Sequence, residues 1–155
     1  MKEKLLEDAF DEIIDSICKT LEDKIQTGEY LDIAKAVYRG DRTAKAPKTP
    51  CLWVFPDVGV CTHPPATFME SWTLPIRLVS VVHSNDAEEG FKEANKLAAK
   101  ARYCVLQNRS LGLRDFVQDT RSDRFEYSNP GYVMGNLYSA VAIIVVTFNI
   151  LEKGE

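Results

Sequence analysis

The most reactive pairing in this 155-residue chain is Cys61 with His63, two residues apart in the stretch "DVGVCTHPPATFME". An imidazole beside a thiol can take up its proton and turn it into a nucleophile. Residues two apart share a face only where the backbone is extended, and no orienting acid stands near. The pair therefore reads as a loop thiol beside a solvated histidine, not as a catalytic dyad. Cys51, Cys61, His63 and His83 together would offer a zinc or iron ion four ligands of suitable kind, but three separate segments would have to converge. The four cysteines lack the paired close spacing of a zinc module and read as free thiols of a reducing compartment. Glu3, Glu7, Asp11, Asp15 and Glu22 fall on one helical segment, where a solvated surface explains them. Gly28, Gly40 and Gly59 lack the spacing of a phosphate-binding loop, and "GYVMG" at residues 131 to 135 has polar and aromatic surroundings foreign to a membrane dimerisation motif. The residues thus assign no catalytic group, no cofactor and no metal, and the chain is not read as an enzyme. One cluster could touch a polyanion: Arg39, Arg42, Lys45 and Lys48 stand against the single acid Asp41. Sequence-specific nucleic-acid binding is not expected from it, because Tyr38 is its one aromatic neighbour.

Composition frames these residues. A formal charge of -4 gives no chain-wide attraction to nucleic acid or to an anionic membrane. The first residues, "MKEKLLEDAFDEIIDSI", set acids among their apolar positions, unlike an export signal. "RGD" at residues 39 to 41 and the sequon "NRS" at 108 to 110 are therefore read as coincidences. The length suits a single domain, residues 1 to 155.

The elements that must position these groups follow from periodicity. Residues 3 to 27 repeat Leu6, Phe10, Ile13, Ile17, Leu21 and Ile25 at steps of three and four, an amphipathic helix that Gly28 stops. "YLDIAKAVYR" (30 to 39) and "CLWVFP" (51 to 56) read as strands separated by a charged, proline-bearing loop. Residues 57 to 70 read as a second loop stiffened by Pro64 and Pro65, and unstructured loops of that length are commonly functional. "SWTLPIRLVSVVHS" reads as a strand with Leu74, Ile76, Leu78, Ser80 and Val82 on one face, and with Pro75 at a sheet edge or outside the pairing. Ser84, Asn85 and Asp86 offer caps to a helix over roughly 86 to 107, whose stripe of Phe91, Ala94, Ala98, Ala101 and Val105 is mostly small. Residues 114 to 128 read as one or two exposed strands, and the turn "NPG" at 129 to 131 follows.

The segment "SAVAIIVVTFNI", residues 139 to 150, is the most apolar. Its eleven residues from Ala140 would rise roughly 16 Å as a helix, half of the roughly 30 Å of a bilayer core, and their β-branching favours a strand. The even positions are apolar to both ends and belong to the core. Val141, Ile143 and Val145 make the odd face apolar only in its middle, so another element or a neighbouring subunit should cover it. The expected fold class is α+β: an antiparallel or mixed sheet of about four to six strands, with a long N-terminal helix and a second helix packed on one face.

"AVYRGDR" before a loop, "TPCLWVFPD", "LPIRLVSVV" followed by "AEEGFKEANKLAAKARYCVL", and then "VQDTRSDRFEYSNPGYVMGNLYSAVAIIVVTFNI" give an element order over nearly the whole chain that resembles the tail terminator and tail completion (minor tail) proteins of tailed bacteriophages. The resemblance implies a structural virion or prophage protein without catalysis. Such a subunit forms a homo-oligomeric ring, typically a hexamer, on the tail tube protein and meets the head-side connector protein; it would be found in the host cytoplasm during assembly and then in the virion tail. Under it, the partner contacts would come from the loop carrying Arg39, Arg42, Lys45 and Lys48, from the loop carrying His63 and Phe68, and from the outer faces of the strands carrying Phe116 and Tyr127 and carrying Val141, Ile143 and Val145. The alternatives are a small ligand- or peptide-binding α+β module with no membrane association and, behind it, a thiol-dependent or metal enzyme.

Overall fold

The computed structural model describes residues 3–29, 34–40, 48–63, 69–129 and 133–152. The order is β1 (Glu3–Lys4), α1 (Leu6–Thr27), β2 (Ala36–Arg39), β3 (Cys51–Pro56), β4 (Val60–His63), β5 (Met69–His83), α2 (Ala87–Leu106), β6 (Val117–Glu126), β7 (Val133–Met134) and β8 (Leu137–Glu152). This is the expected α+β class: a mixed sheet with a long N-terminal helix and a second helix.

Two long strands organise the sheet. β5 and β8 pair antiparallel from Met69 opposite Leu151 to His83 opposite Leu137. On the other edge of β8 lie β7, β6 and β1, and on the other edge of β5 lie β3 and β4. β2 runs parallel to β3 at the margin. α1 meets β2 and β3, whereas α2 meets β5, β8 and β6, and the helices touch each other on the same face of the sheet.

That face holds the core. Ala140, Ala142, Ile144, Val146, Phe148 and Ile150 of β8, with Leu74, Ile76 and Leu78 of β5, are fully buried beneath Ile13, Ile17 and Leu21 of α1 and Ala94, Ala98 and Ala101 of α2. Each such large aliphatic side chain contributes roughly 1.5–3 kcal/mol by leaving water. The small stripe of α2 brings its backbone close to the sheet: the Ser80 hydroxyl donates to the Ala94 carbonyl at 2.8 Å and accepts from the Ala140 amide at 3.1 Å, which satisfies a polar group buried at 0 % exposure. Gly90 is required by the same approach, since a Cβ there would stand 2.3 Å from the Tyr138 ring. At the end of α1, Gly28 adopts φ 70°, the left-handed stop expected of it.

Three expectations are corrected. Residues 57 to 70 are not all loop, because Val60–His63 pairs with β5, which begins at Met69, two residues before the expected start. Pro75 lies not at an edge but inside β5, opposite Val145. Its carbonyl accepts the Asp57 amide at 2.9 Å, and in an antiparallel strand its nitrogen faces the same side, so the missing N–H meets the gap between β3 and β4, where no ladder bond is due. The strand expected over 30 to 39 is seen as Ala36–Arg39, with residues 30 to 33 outside those described; so are Pro130 and Gly131 of the expected turn.

The two faces of β8 set up a comparison. Val146→Asp would bury an unpaired carboxylate under the helices, a cost of several kcal/mol against a total stability of roughly 5–15, and we expect no folded protein by circular dichroism. Ile143 stands on the helix-free face between Arg77 and Arg124 in register. Ile143→Asp should keep a cooperative thermal transition at reduced temperature; equal loss of folding in both variants would show that the faces are not distinct.

Candidate interaction surface

The cysteine and histidine candidates do not converge. Cys51 is opposite Val81 and Cys61 opposite Trp72, so they sit about 30 Å apart along β5. His63 is opposite Ser71, and His83 lies at the far end of the same strand, about 40 Å away. The metal site is excluded by this spacing, and among the described residues no group of three or more His, Cys, Asp or Glu could hold a metal ion. A bulge between Cys61 and His63 sets them opposite Trp72 and Ser71, consecutive residues of β5, so the alternation that would put two residues on one face is broken. All four cysteines are free; Cys18, Cys51 and Cys104 are buried and Cys61 is half-buried. Burial pushes the Cys51 thiol up to about 11 and also raises that of Cys104, which leaves both as inert packing groups.

The cation candidates divide. Arg39 is not an outward contact: its two terminal nitrogens donate to Asp15 Oδ1 at 2.7 Å and Asp11 Oδ1 at 2.6 Å, tying the marginal strand β2 to α1. Alternation along β2 explains this, since Val37 and Arg39 face the helix while Ala36 and Tyr38 face away. Lys48 is exposed, and its amide donates to the Tyr38 hydroxyl at 2.9 Å. Arg42, Lys45 and Phe68 lie outside the described residues, and for His63 the strand position alone is described.

Among the apolar candidates, Phe116 is a core residue, 4 % exposed, edge-on to Phe148 at 6.1 Å with the Lys4 ammonium 4.3 Å from its ring centre. Val141, Ile143 and Val145 are 6 %, 1 % and 7 % exposed within the single chain, so no neighbouring subunit is needed to bury them. Their register neighbours on this helix-free face include Val79, Arg77, Arg121 and Arg124, whose long stems can shield apolar surface while their charges stay in water. Further along the same face, Tyr38, Trp53 and Phe55 form an aromatic row with centroid separations of 4.9 and 5.8 Å. Tyr127 does remain outside, 68 % exposed against Phe125.

Two features escape the sequence reading. Asp57 follows β3, where its carboxylate accepts from the Val58 amide at 2.8 Å and from Arg77 Nε at 3.3 Å. The second is an open groove between α2 and β6, lined by Lys96, Ala99, Arg102, Arg124, Phe125 and Tyr127 among others. The sequence hints at its helical wall, because Lys96, Ala99 and Arg102 recur every three residues on the exposed side of α2, but nothing local indicates that β6 forms the other wall.

Two outcomes follow. A thiol reagent applied to the native protein near neutral pH should label Cys61 ahead of the other three, with all four labelled after denaturation; mass spectrometry that found Cys51 or Cys104 modified first would contradict the packing. The Val58 amide and then Arg77 hold the Asp57 carboxyl below its ordinary value, so its stabilisation is fully present above the unfolded pKa and fades as pH falls through the lower folded one. The difference in thermal stability between wild type and Asp57→Asn should be constant above about pH 5 and should close in more acidic solution.

No protein-family model matches the chain, and comparison with curated proteins finds no match.

Proposed function

We propose that this chain is a structural ring subunit of a bacteriophage or prophage tail, of the tail terminator or tail completion kind. It caps the tail tube and joins it to the head-side connector, and it assembles in the host cytoplasm before residing in the virion tail. The carrying observation is that the two lateral margins of the subunit are unlike. One margin is the short parallel strand β2 latched to α1; the other is the bulged ten-residue strand β6 flanked by α2. A closed head-to-tail ring needs two different surfaces on each subunit, one to meet the other around the circle. The element order over nearly the whole chain, two helices on one face of a long two-stranded ribbon, agrees with the family resemblance. No described helix is long and apolar enough to cross a membrane. In this reading, the chain segments that flank β3 in sequence, residues 40 to 50 and 57 to 59, supply the contacts to the tube or the connector.

The groove between α2 and β6 favours a second reading, a module that binds a small ligand or peptide. Solution behaviour separates the two. A ring subunit should elute from gel filtration with a light-scattering mass of about six chains, and negative-stain electron microscopy should find rings with a central hole. A single-chain mass at every concentration, with no rings on the grid, would overturn the ring reading.

A further inference from the structure

The groove on the β6 margin has a definite chemistry. Ala99 and the half-buried Phe125 give it apolar surface, and Tyr127 adds an exposed ring 4.8 Å from that of Phe125. Lys96 and Arg102 supply two cations. The acid of the lining, Asp123, lies 3.5 Å from Arg124 Nε and is already engaged, while Arg102 Nε donates to Ser122 Oγ at 3.0 Å and is held across the groove. The groove is therefore positive, with an aromatic anchor.

The complementary surface stands on α1. Asp8, Glu12, Asp15, Glu22 and Asp23 of α1 are exposed, and their spacing gathers them on one arc of the helix with Lys19 as the one exposed cation among them. Lys4 engages Glu12 and Arg39 engages Asp15, whereas Asp8, Glu22 and Asp23 have no ion-pair partner among the described residues. A 22-residue helix packed beside β2 thus offers an acidic ridge on its exposed side.

We infer that the groove between α2 and β6 receives the acidic face of α1 from a second copy of this chain. The inference rests on the ring reading and names the contact that would close it. Charge complementarity selects this occupant: cations meet acids across the joint, and the aromatic pair provides the desolvated contact that charge alone does not. Position selects it too, because the groove lies at the β6 margin and the helix that carries the ridge packs beside β2, so groove and ridge are separate surfaces and each union leaves a free groove at one end and a free ridge at the other. Single-stranded nucleic acid fits less well, since the groove offers two cations and the chain, of formal charge -4, carries an acidic helix that would repel phosphate.

Charge exchange tests this. Lys96→Glu with Arg102→Glu reverses the groove, and Asp8→Lys with Glu22→Lys reverses the ridge. Each variant alone should show an assembly dissociation constant raised at least about tenfold, read by light scattering after gel filtration. An equimolar mixture should recover assembly, because each reversed surface then meets its complement. Circular dichroism melts check that the variants fold; if either does not, the neutral pair Lys96→Gln with Arg102→Gln should still weaken assembly and reduce its dependence on salt. Wild-type rings that all these variants also form would overturn this contact and leave the ring reading standing. A wild-type protein that never assembles overturns both. If groove reversal leaves assembly intact but abolishes binding of a labelled oligo-glutamate peptide or of a thymidine oligonucleotide, the groove serves that ligand and the inference fails.

Discussion

Fifteen consecutive residue pairs zip β5 to β8, and every other element attaches to one edge or one face of that ribbon. A two-stranded ribbon has little independent stability in water, whatever its length. Here it becomes the middle of a sheet because β3 and β4 divide the free edge of β5, while β7, β6 and β1 divide that of β8. Dividing an edge between short strands leaves joints, and the joint between β3 and β4 is where Pro75 is tolerated inside a central strand. Asp57 closes that joint, its amide bonded to the Pro75 carbonyl and its carboxylate to the Val58 amide and Arg77.

The ribbon also divides the molecule into two environments. Beneath the helices its buried side chains are apolar except for Ser80, which is bonded to the backbone of both the helix and the neighbouring strand. The opposite face carries aliphatic residues in its centre, arginines beside them, an aromatic row toward β2 and the polar pair Ser71 and Asn149 at one end, bonded at 2.7 Å. Charge is used differently as well. On the β2 margin Arg39 is consumed inside the subunit by Asp11 and Asp15, so one of the four cations that the sequence offered to a polyanion holds an edge strand in place. On the β6 margin, the exposed Lys96 lines the groove and remains for an outside partner.

How far the sequence carried the fold depends on the range of the interaction involved. Helix α1, its glycine stop, strand β3 and the two-faced character of β8 rest on spacing and turn chemistry within a few residues, and all were legible. β4 was not, because a four-residue segment after a glycine becomes a strand only when β5 extends to meet it. Pro75 was misread for the same reason: its tolerance depends on where two other strands end. Arg39 and its acids are 24 and 28 residues apart, and Phe116 looked like the start of an exposed strand until Phe148 gave it a ring to pack against. The groove was the least legible feature, since its walls, α2 and β6, are brought together by β8, which follows both in the chain.

These facts bear on how such a subunit could join others without fusing into aggregates. A sheet with open margins invites strand-to-strand pairing, and the usual defences are charge, bulges and short edges. β6 has exposed charges at Arg121, Asp123 and Arg124 and two bulges, and β2 is four residues long with its arginine turned inward. Both margins are therefore poor templates for continuing the sheet. Side-chain contact across helix and groove would achieve association without backbone pairing, and because it matches unlike surfaces it sets a direction around the assembly. Under the proposed ring reading, this arrangement would let a subunit meet its own copies laterally while its short, charged and bulged edges oppose growth by strand pairing.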